Sequence, residues 1–122
     1  MKQLTLIFVG GGLGSIARYL LARWTNTFHA LSFPLGTLVV NVVACFALGL
    51  VVGLADHKQL LSADTRIFWT IGFCGGFSTF STFSYDTLLL FQQPAVGWGV
   101  VYILASVLLC LAATMIGIWL GR

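Results

Sequence analysis

The residues best suited to chemistry lie in one short segment of hydroxyl and aromatic side chains. Residues 78–84 read Ser-Thr-Phe-Ser-Thr-Phe-Ser. Phe80 and Phe83 are three residues apart, so they share a face if this segment is helical. Two roles fit these rings. One is packing in the core, and the other is contact with an anion, because an aromatic ring has a positive edge. Ser81 and Thr82 lie between the rings and add hydrogen-bonding groups.

Two further sets of uncharged polar residues lie inside apolar stretches, where each polar group costs energy unless it is satisfied. Asn41 lies four residues after Thr37, and its amide offers two donors without net charge. The second set recurs at intervals of four residues and so shares one helix face: Tyr102, Ser106, Cys110 and Thr114. Helix packing through hydrogen bonds or small residues and the lining of an ion path both fit these patterns.

Arg18 is the one strong charge within an apolar run. Because it lies near the end of the first run, its side chain can extend to the membrane interface. The functional alternative is an electropositive vestibule that attracts anions.

Enzymatic sites have little support in this sequence. His29 and His57 fall in predicted connections, and no carboxylate pair or His/Cys cluster is spaced for catalysis or metal binding. The glycines of residues 10–14 lack the strand and the acidic residue of a dinucleotide site, so they predict close helix packing. The three cysteines are odd in number and indicate no disulfide framework; they are interpreted as small packing residues.

The composition identifies the class of protein. Hydrophobic residues make up 59% of the 122 residues and charged residues only 7%, against about 25% in soluble domains. The net charge of +3 is scattered, which argues against nucleic-acid binding. We therefore predict an all-α integral membrane protein in the cell membrane, with a single domain over residues 1–122.

Four apolar stretches are long enough to cross the hydrocarbon core as helices, at about residues 4–24, 33–55, 67–92 and 96–120. The first is interpreted as a retained helix and not a signal peptide, since it lacks a small-residue cleavage pattern. The third is too long for a single span and is rich in glycine, which loosens the backbone. Its hydroxyl groups can bond to the backbone groups that a break in the helix would expose. It is predicted to be a helix broken near mid-membrane.

An even number of spans places both chain termini on one side of the membrane. The basic residues favour that side as cytoplasmic by four to two, a weak bias. The four on the terminal side are Lys2, Lys58, Arg66 and Arg122, and the two on the other are Arg18 and Arg23. A weak bias permits insertion in both orientations, so an inverted second copy is an acceptable partner.

Three motifs together resemble the CrcB/Fluc family of fluoride channels over the whole chain. They are Gly11-Gly12-Leu13-Gly14-Ser15-Ile16-Ala17-Arg18-Tyr19, Gly36-Thr37-Leu38-Val39-Val40-Asn41, and residues 72–84 from Gly72 to Ser84. The third motif is highly specific. The resemblance implies a passive fluoride channel that lowers fluoride toxicity, built as an antiparallel dual-topology homodimer with two pores.

The resemblance also implies roles for particular residues. Asn41, Phe80 and Phe83 match pore-lining residues, with Ser81 and Thr82 in the same segment and Thr114 in a polar track on the fourth helix. Thr37, Ser106 and Cys110 are expected along the same path, and Arg18 matches a vestibule arginine. The carbonyls of Gly75 and Ser78, from both subunits, are expected to hold a central, structural Na⁺.

The chain departs from the family pattern at four positions. Cys110 stands where serine is frequent, which weakens one hydrogen bond to the ion, and Ser106 occupies a variable position. Ser78 replaces a common threonine, which matters little for a carbonyl ligand. Asp86 stands where glutamate is usual, which leaves the role of that carboxylate open.

Two other functions fit a chain of this size. A dual-topology small multidrug/proton exporter has four helices but needs a carboxylate deep in its first helix, and no Asp or Glu precedes Asp56. A non-transporting assembly subunit has no evident use for the Ser/Thr/Phe segment.

Overall fold

The computed structural model describes residues 1–28, 32–57 and 60–122, and all regular structure in these ranges is helical. The helices are α1 (Lys2–Thr27), α2 (Leu35–His57), α3 (Ala63–Ile67), a π-helical segment (Phe68–Cys74), α4 (Gly75–Phe77), α5 (Phe80–Phe91) and α6 (Gly97–Gly121). His29 and Lys58, assigned to connections from the sequence, lie outside the described residues. The all-α prediction is confirmed.

Three of these helices are long and apolar enough to cross a membrane: Lys2–Thr27, Leu35–Asp56 and Gly97–Gly121. At about 1.5 Å per residue, helices of this length exceed the roughly 30 Å of a hydrocarbon core and are long enough to cross it. Many large apolar side chains of these helices are exposed, as expected for helices that face lipid. The remaining apolar stretch, residues 63–91, does not form one continuous helix.

The predicted interruption of that stretch is confirmed, and it lies at Ser78 and Thr79. Both residues are extended, with φ/ψ of −73°/158° and −150°/115°, and they separate α4 from α5. Gly72, Gly75 and Gly76 remain helical. Glycine permits a break without requiring one, so the position of the break depends on contacts with other helices. We refer to Ser78–Thr79 as the break.

The first half of this stretch packs closely on α1 through glycines. A Cβ atom on Gly10 would lie 3.0 Å from the Gly72 Cα, and one on Gly76 would lie 2.8 Å from the Gly11 Cα. A Cβ on Gly14 would meet the Phe73 carbonyl oxygen. Gly10 and Gly14 on α1, and Gly72 and Gly76 on the third stretch, are each four residues apart, as in the small-residue interfaces of membrane helices. The glycine-rich run in α1 is therefore a packing surface.

Helices α2 and α6 pack in parallel by the same means. A Cβ on Gly53 would lie 2.6 Å from the Ile118 carbonyl oxygen, and one on Gly49 would meet the Thr114 carbonyl oxygen. Residue numbers rise together along the two helices, since Gly49 contacts Thr114 and Gly53 contacts Gly121. This register brings the polar column of α6 alongside Asn41.

Two ion pairs form at one end of the bundle, one between α1 and α3 and one between α2 and α3. Lys2 pairs with Asp64, and Arg66 pairs with Asp56 at 3.0 Å. The contact of Gly53 with Gly121 brings the carboxyl terminus to the same end. Both termini thus lie at one end of the helix bundle, as an even number of spans requires.

Candidate functional site

The side-chain amide of Asn41 satisfies the backbone at the break. Its Nδ2 donates to the Thr79 carbonyl oxygen at 3.1 Å, and its Oδ1 accepts from the Thr79 N–H at 2.8 Å. The extended conformation removes both Thr79 groups from the helical hydrogen-bond pattern, and Thr79 is buried. Because unpaired backbone groups in an apolar interior cost several kcal/mol, Asn41 stabilises the break. Its second amide N–H has no acceptor among the described residues.

The hydroxyls after the break start the next helix. Thr79 Oγ1 accepts from the Thr82 N–H at 3.2 Å, which makes Thr79 the N-cap of α5. The same oxygen lies 3.0 Å from Thr82 Oγ1 and 3.3 Å from Ser81 Oγ. Ser81 and Thr82 are nevertheless exposed on the surface of the chain. The hydroxyl-rich segment thus stabilises a helix start and also presents polar groups outward.

Helix α1 contributes two donors to carbonyl oxygens at and just before the break. Ser15 Oγ donates to the Gly76 carbonyl oxygen at 3.3 Å, and Arg18 Nη1 lies 3.5 Å from the Ser78 carbonyl oxygen. Arg18 is half-buried, and its side chain turns toward the break. Its positive charge lies near the middle of the third stretch.

The break changes the hydrogen bonding of the Gly75 carbonyl oxygen. In a continuous helix the Thr79 N–H would donate to it, but here that N–H donates to Asn41 Oδ1, and no other donor to the carbonyl oxygen is found among the described residues. Gly75 and Ser78 line a small cleft of about 160 Å³ with Cys74 and Thr70. Within the described part of the chain, the Gly75 carbonyl oxygen has no donor, and the Ser78 carbonyl oxygen has only the 3.5 Å contact from Arg18. Both therefore fit the expected Na⁺ ligands, since hard cations bind oxygen.

The polar column on α6 divides into satisfied and unsatisfied groups. The hydroxyls of Tyr102 and Ser106 are buried and form no hydrogen bond of good geometry to a described residue. Thr114 Oγ1 donates to the Cys110 carbonyl oxygen of its own helix at 3.0 Å. Two unpaired buried hydroxyls in an apolar interior are uncommon and need a partner such as water or an ion.

A cleft of about 260 Å³, here called the break cleft, brings together residues from α2, the break, α5 and α6. It is lined by Asn41, Cys45, Ser78, Thr79, Phe80, Phe83, Ser106, Val107 and Cys110. The rings of Phe80 and Phe83 lie 5.4 Å apart and inclined by 43°. Five residues predicted to line a pore thus share one cleft: Asn41, Phe80, Phe83, Ser106 and Cys110.

A second cavity, also about 260 Å³, lies on the α1 side of the break. It is lined by Ser15, Arg18, Tyr19, Ala22, Thr37, Val40, Thr79 and Thr82. Thr37 Oγ1 donates to Asp86 Oδ2 at 2.7 Å, which places the Asp86 carboxylate beside α2. Of the predicted pore residues, Thr37 and Thr82 therefore lie on this side, and Ser81 and Thr114 line neither cavity.

Sequence reasoning missed three participants. Cys45 lies one turn after Asn41 on the same face of α2, and that spacing was the available signal. Ser15 lies three residues before Arg18 and shares its face of α1 in the same way. Thr79 enters through its backbone, which no side-chain pattern could indicate.

The fold and the site define a small multi-pass cell-membrane protein whose broken helix is contacted at the break by polar side chains from two other helices. A model of the family described as CrcB-like protein, Camphor Resistance (CrcB), matches residues 5–118. The chain belongs to this family.

Curated relatives carry the name fluoride-specific ion channel FluC. The protein of Geobacter metallireducens is 46% identical over 100% of this chain and 98% of its own. The Agrobacterium fabrum protein is 42% identical with the same coverage. The Phocaeicola vulgatus protein is 42% identical over the full length of both chains.

Proposed function

We propose that this protein is a passive fluoride channel, which lets fluoride leave the cytoplasm down its electrochemical gradient and so lowers fluoride toxicity. The observation that carries the proposal is the break cleft, where Asn41, Ser106 and the rings of Phe80 and Phe83 surround one space without a formal charge. The names of the full-length relatives support it. A small multidrug/proton exporter is not favoured, because no carboxylate precedes Asp56.

The chemistry of the break cleft suits a small, strongly hydrated anion. A pore must replace the water around the ion and still release it quickly. The spare N–H of Asn41 and the unpaired Ser106 hydroxyl are neutral donors. Their hydrogen bonds to an anion are stronger when the anion is a stronger hydrogen-bond acceptor, as fluoride is. The positive ring edges of Phe80 and Phe83 add weak attraction. Several weak contacts replace hydration without the tight binding that a fixed cation would impose.

Arg18 acts outside this cleft in the proposal. It lines the cavity on the α1 side of the break together with Thr37 and Thr82. A positive charge at that position raises the local concentration of anions before they reach the neutral donors. Four further side chains are proposed to contact fluoride on the parts of its path outside the break cleft: Thr37, Ser81, Thr82 and Thr114.

A second, inverted copy of the chain is part of the proposal. Ser81, Thr82 and Gly75 are exposed in the single chain at membrane depth, where lipid leaves polar groups unsatisfied. A partner subunit that covers this surface removes the cost and closes the path. The weak charge bias between the two sides permits the inverted orientation. Chemical cross-linking of the purified protein should give a dimer, and a terminal tag should label from both sides of intact vesicles.

The carbonyls of Gly75 and Ser78 are proposed to bind a structural Na⁺ where the two subunits meet. The two carbonyl oxygens would replace part of the cation's hydration shell. The cation would in turn give the Gly75 carbonyl oxygen a partner. In this position the ion contributes to stability and does not move with fluoride.

Proteoliposomes that contain the purified protein test the channel proposal. With a fluoride gradient and a potassium ionophore to balance charge, a fluoride electrode should record rapid efflux. The rate should stay the same after a protonophore collapses the proton gradient. Efflux that stops with the proton gradient would overturn the channel proposal in favour of proton-coupled transport.

A further inference from the structure

Two cysteines from different helices meet in the break cleft. Cys45 on α2 and Cys110 on α6 both line it. The parallel packing of the helices accounts for this: Gly49 contacts Thr114, and each cysteine lies four residues before one of these two. Both thiols are free and half-buried.

The pair suits one kind of ligand. Soft thiol ligands select soft metal ions, whereas carboxylates and carbonyls select hard ones. Within residues 1–28, 32–57 and 60–122, no group of three or more His, Cys, Asp or Glu side chains is placed around a metal ion, so a four-coordinate Zn²⁺ site is not formed. Two sulfur ligands are sufficient for a soft monovalent ion, which accepts two donors in line.

We propose that Cys45 and Cys110 form a binding site for a soft monovalent cation of the Ag⁺ or Cu⁺ class. One thiol releases its proton to solvent and binds the metal as a thiolate. The other donates a sulfur lone pair as a neutral thiol. Because one monovalent cation replaces another, the net charge of the cleft does not change, and the cost of an unpaired buried charge is avoided.

Bound metal at this site would obstruct the proposed fluoride path. Cys45 and Cys110 share the break cleft with Asn41, Ser106 and Phe83, so an ion held between the sulfurs occupies space assigned to fluoride. This consequence rests on the proposed function. The binding of the metal does not.

The third cysteine is the matched control. Cys74 is buried and lines the smaller cleft with Cys45, but it does not line the break cleft that contains Cys110. Replacement of Cys74 removes one thiol from the chain and leaves the proposed pair intact.

The binding test uses full-length protein purified in detergent, in nitrate buffer free of chloride and reducing agent, titrated with Ag⁺ by calorimetry. Wild type and Cys74→Ala should bind one Ag⁺ per chain with equal affinity. Cys45→Ala and Cys110→Ala should each bind at least about 100-fold more weakly, since loss of an outer-shell partner alone costs roughly 10- to 100-fold. Serine variants, which keep the size of the side chain, replace any alanine variant that fails to elute as a folded species.

The transport test measures fluoride efflux from proteoliposomes with and without Ag⁺, each variant normalised to its own rate without metal. Ag⁺ should inhibit wild type and Cys74→Ala and leave Cys45→Ala uninhibited. If the protein conducts no fluoride before Ag⁺ is added, the proposed function fails while the calorimetric result still decides the site.

Three results would overturn the inference. Equal Ag⁺ affinity in all four proteins shows that Cys45 and Cys110 are not the ligands. Loss of affinity in Cys74→Ala but not in Cys110→Ala assigns the metal to Cys45 and Cys74, which share the smaller cleft. Tight binding without inhibition of a conducting channel places the metal outside the ion path.

Discussion

The side-chain amide of Asn41 pairs with both backbone groups of Thr79, at 3.1 Å and 2.8 Å. One residue on α2 thus takes the place of two helical hydrogen bonds that α4 and α5 cannot make across the break. The same amide faces the break cleft with one N–H to spare. Asn41 therefore links the stability of the break to the proposed contact with fluoride.

Replacement of Asn41 by alanine should reduce both stability and transport. It leaves the buried Thr79 N–H and carbonyl without partners, at about 1–3 kcal/mol for each group. The melting temperature in detergent should fall, and fluoride efflux should be lost. Val43→Ala is the control, because Val43 is exposed on the same helix. An unchanged melting temperature in Asn41→Ala would contradict the capping role.

The two phenylalanines of the break cleft should differ in their effect on stability. Phe80 is 78% exposed in the single chain, whereas Phe83 is half-buried and its ring centroid lies 5.2 Å from that of Tyr102. Phe80→Ile should abolish most fluoride efflux with little loss of chain stability, and Phe83→Ile should lower both.

Phe28→Ile is the matched control for Phe80→Ile, since Phe28 is 74% exposed and lies at the end of α1, away from the break. Efflux assays and thermal unfolding should be run on all three variants. Normal fluoride efflux in Phe80→Ile with an intact dimer would argue against the proposed role of its ring.

The glycine contacts between α2 and α6 should be sensitive to a single methyl group. A Cβ on Gly53 would lie 2.6 Å from the Ile118 carbonyl oxygen, a backbone atom that cannot move aside without shifting the helix. Gly53→Ala should cost about 1–3 kcal/mol by overpacking. Gly97→Ala, with open space around its Cβ, should be neutral in the same unfolding assay. Equal stability of the two variants would contradict the close packing.

Sodium should stabilise the purified protein if the proposed ion site is correct. The melting temperature should be higher in Na⁺ than in an equal concentration of N-methylglucamine, because an ion that binds only the folded state stabilises it. Ser78→Ala should keep this difference, since the proposed ligand is a carbonyl oxygen. Melting temperatures that are the same in both salts would argue against a bound Na⁺.

The sequence was sufficient to predict the broken third helix but not where it breaks. The composition predicted a break near mid-membrane without a position; the glycines at residues 72, 75 and 76 stay helical, and the extended residues are Ser78 and Thr79. The position depends on hydrogen bonds from Asn41, and such a tertiary contact between residues 38 positions apart leaves no local pattern.

The polar column on α6 shows the same limit. The spacing of four residues correctly placed its members on one face of the helix. It could not predict that Thr114 bonds to its own helix while Ser106 is left without a partner, because this depends on how closely α2 approaches. Arg18 is similar: its place near the end of an apolar run allowed both the membrane interface and an anion-attracting vestibule, and it could not predict the contact with the Ser78 carbonyl, which depends on the packing of α1 on the third stretch.

The most direct test of the central claim is anion efflux from proteoliposomes that contain the purified protein, with fluoride and chloride measured side by side. The account predicts rapid fluoride efflux and chloride efflux no faster than from protein-free liposomes, because neutral donors in a narrow cleft favour the smaller, more strongly hydrogen-bonding ion. Equal rates for the two anions, or no fluoride efflux above that of protein-free liposomes, would contradict it.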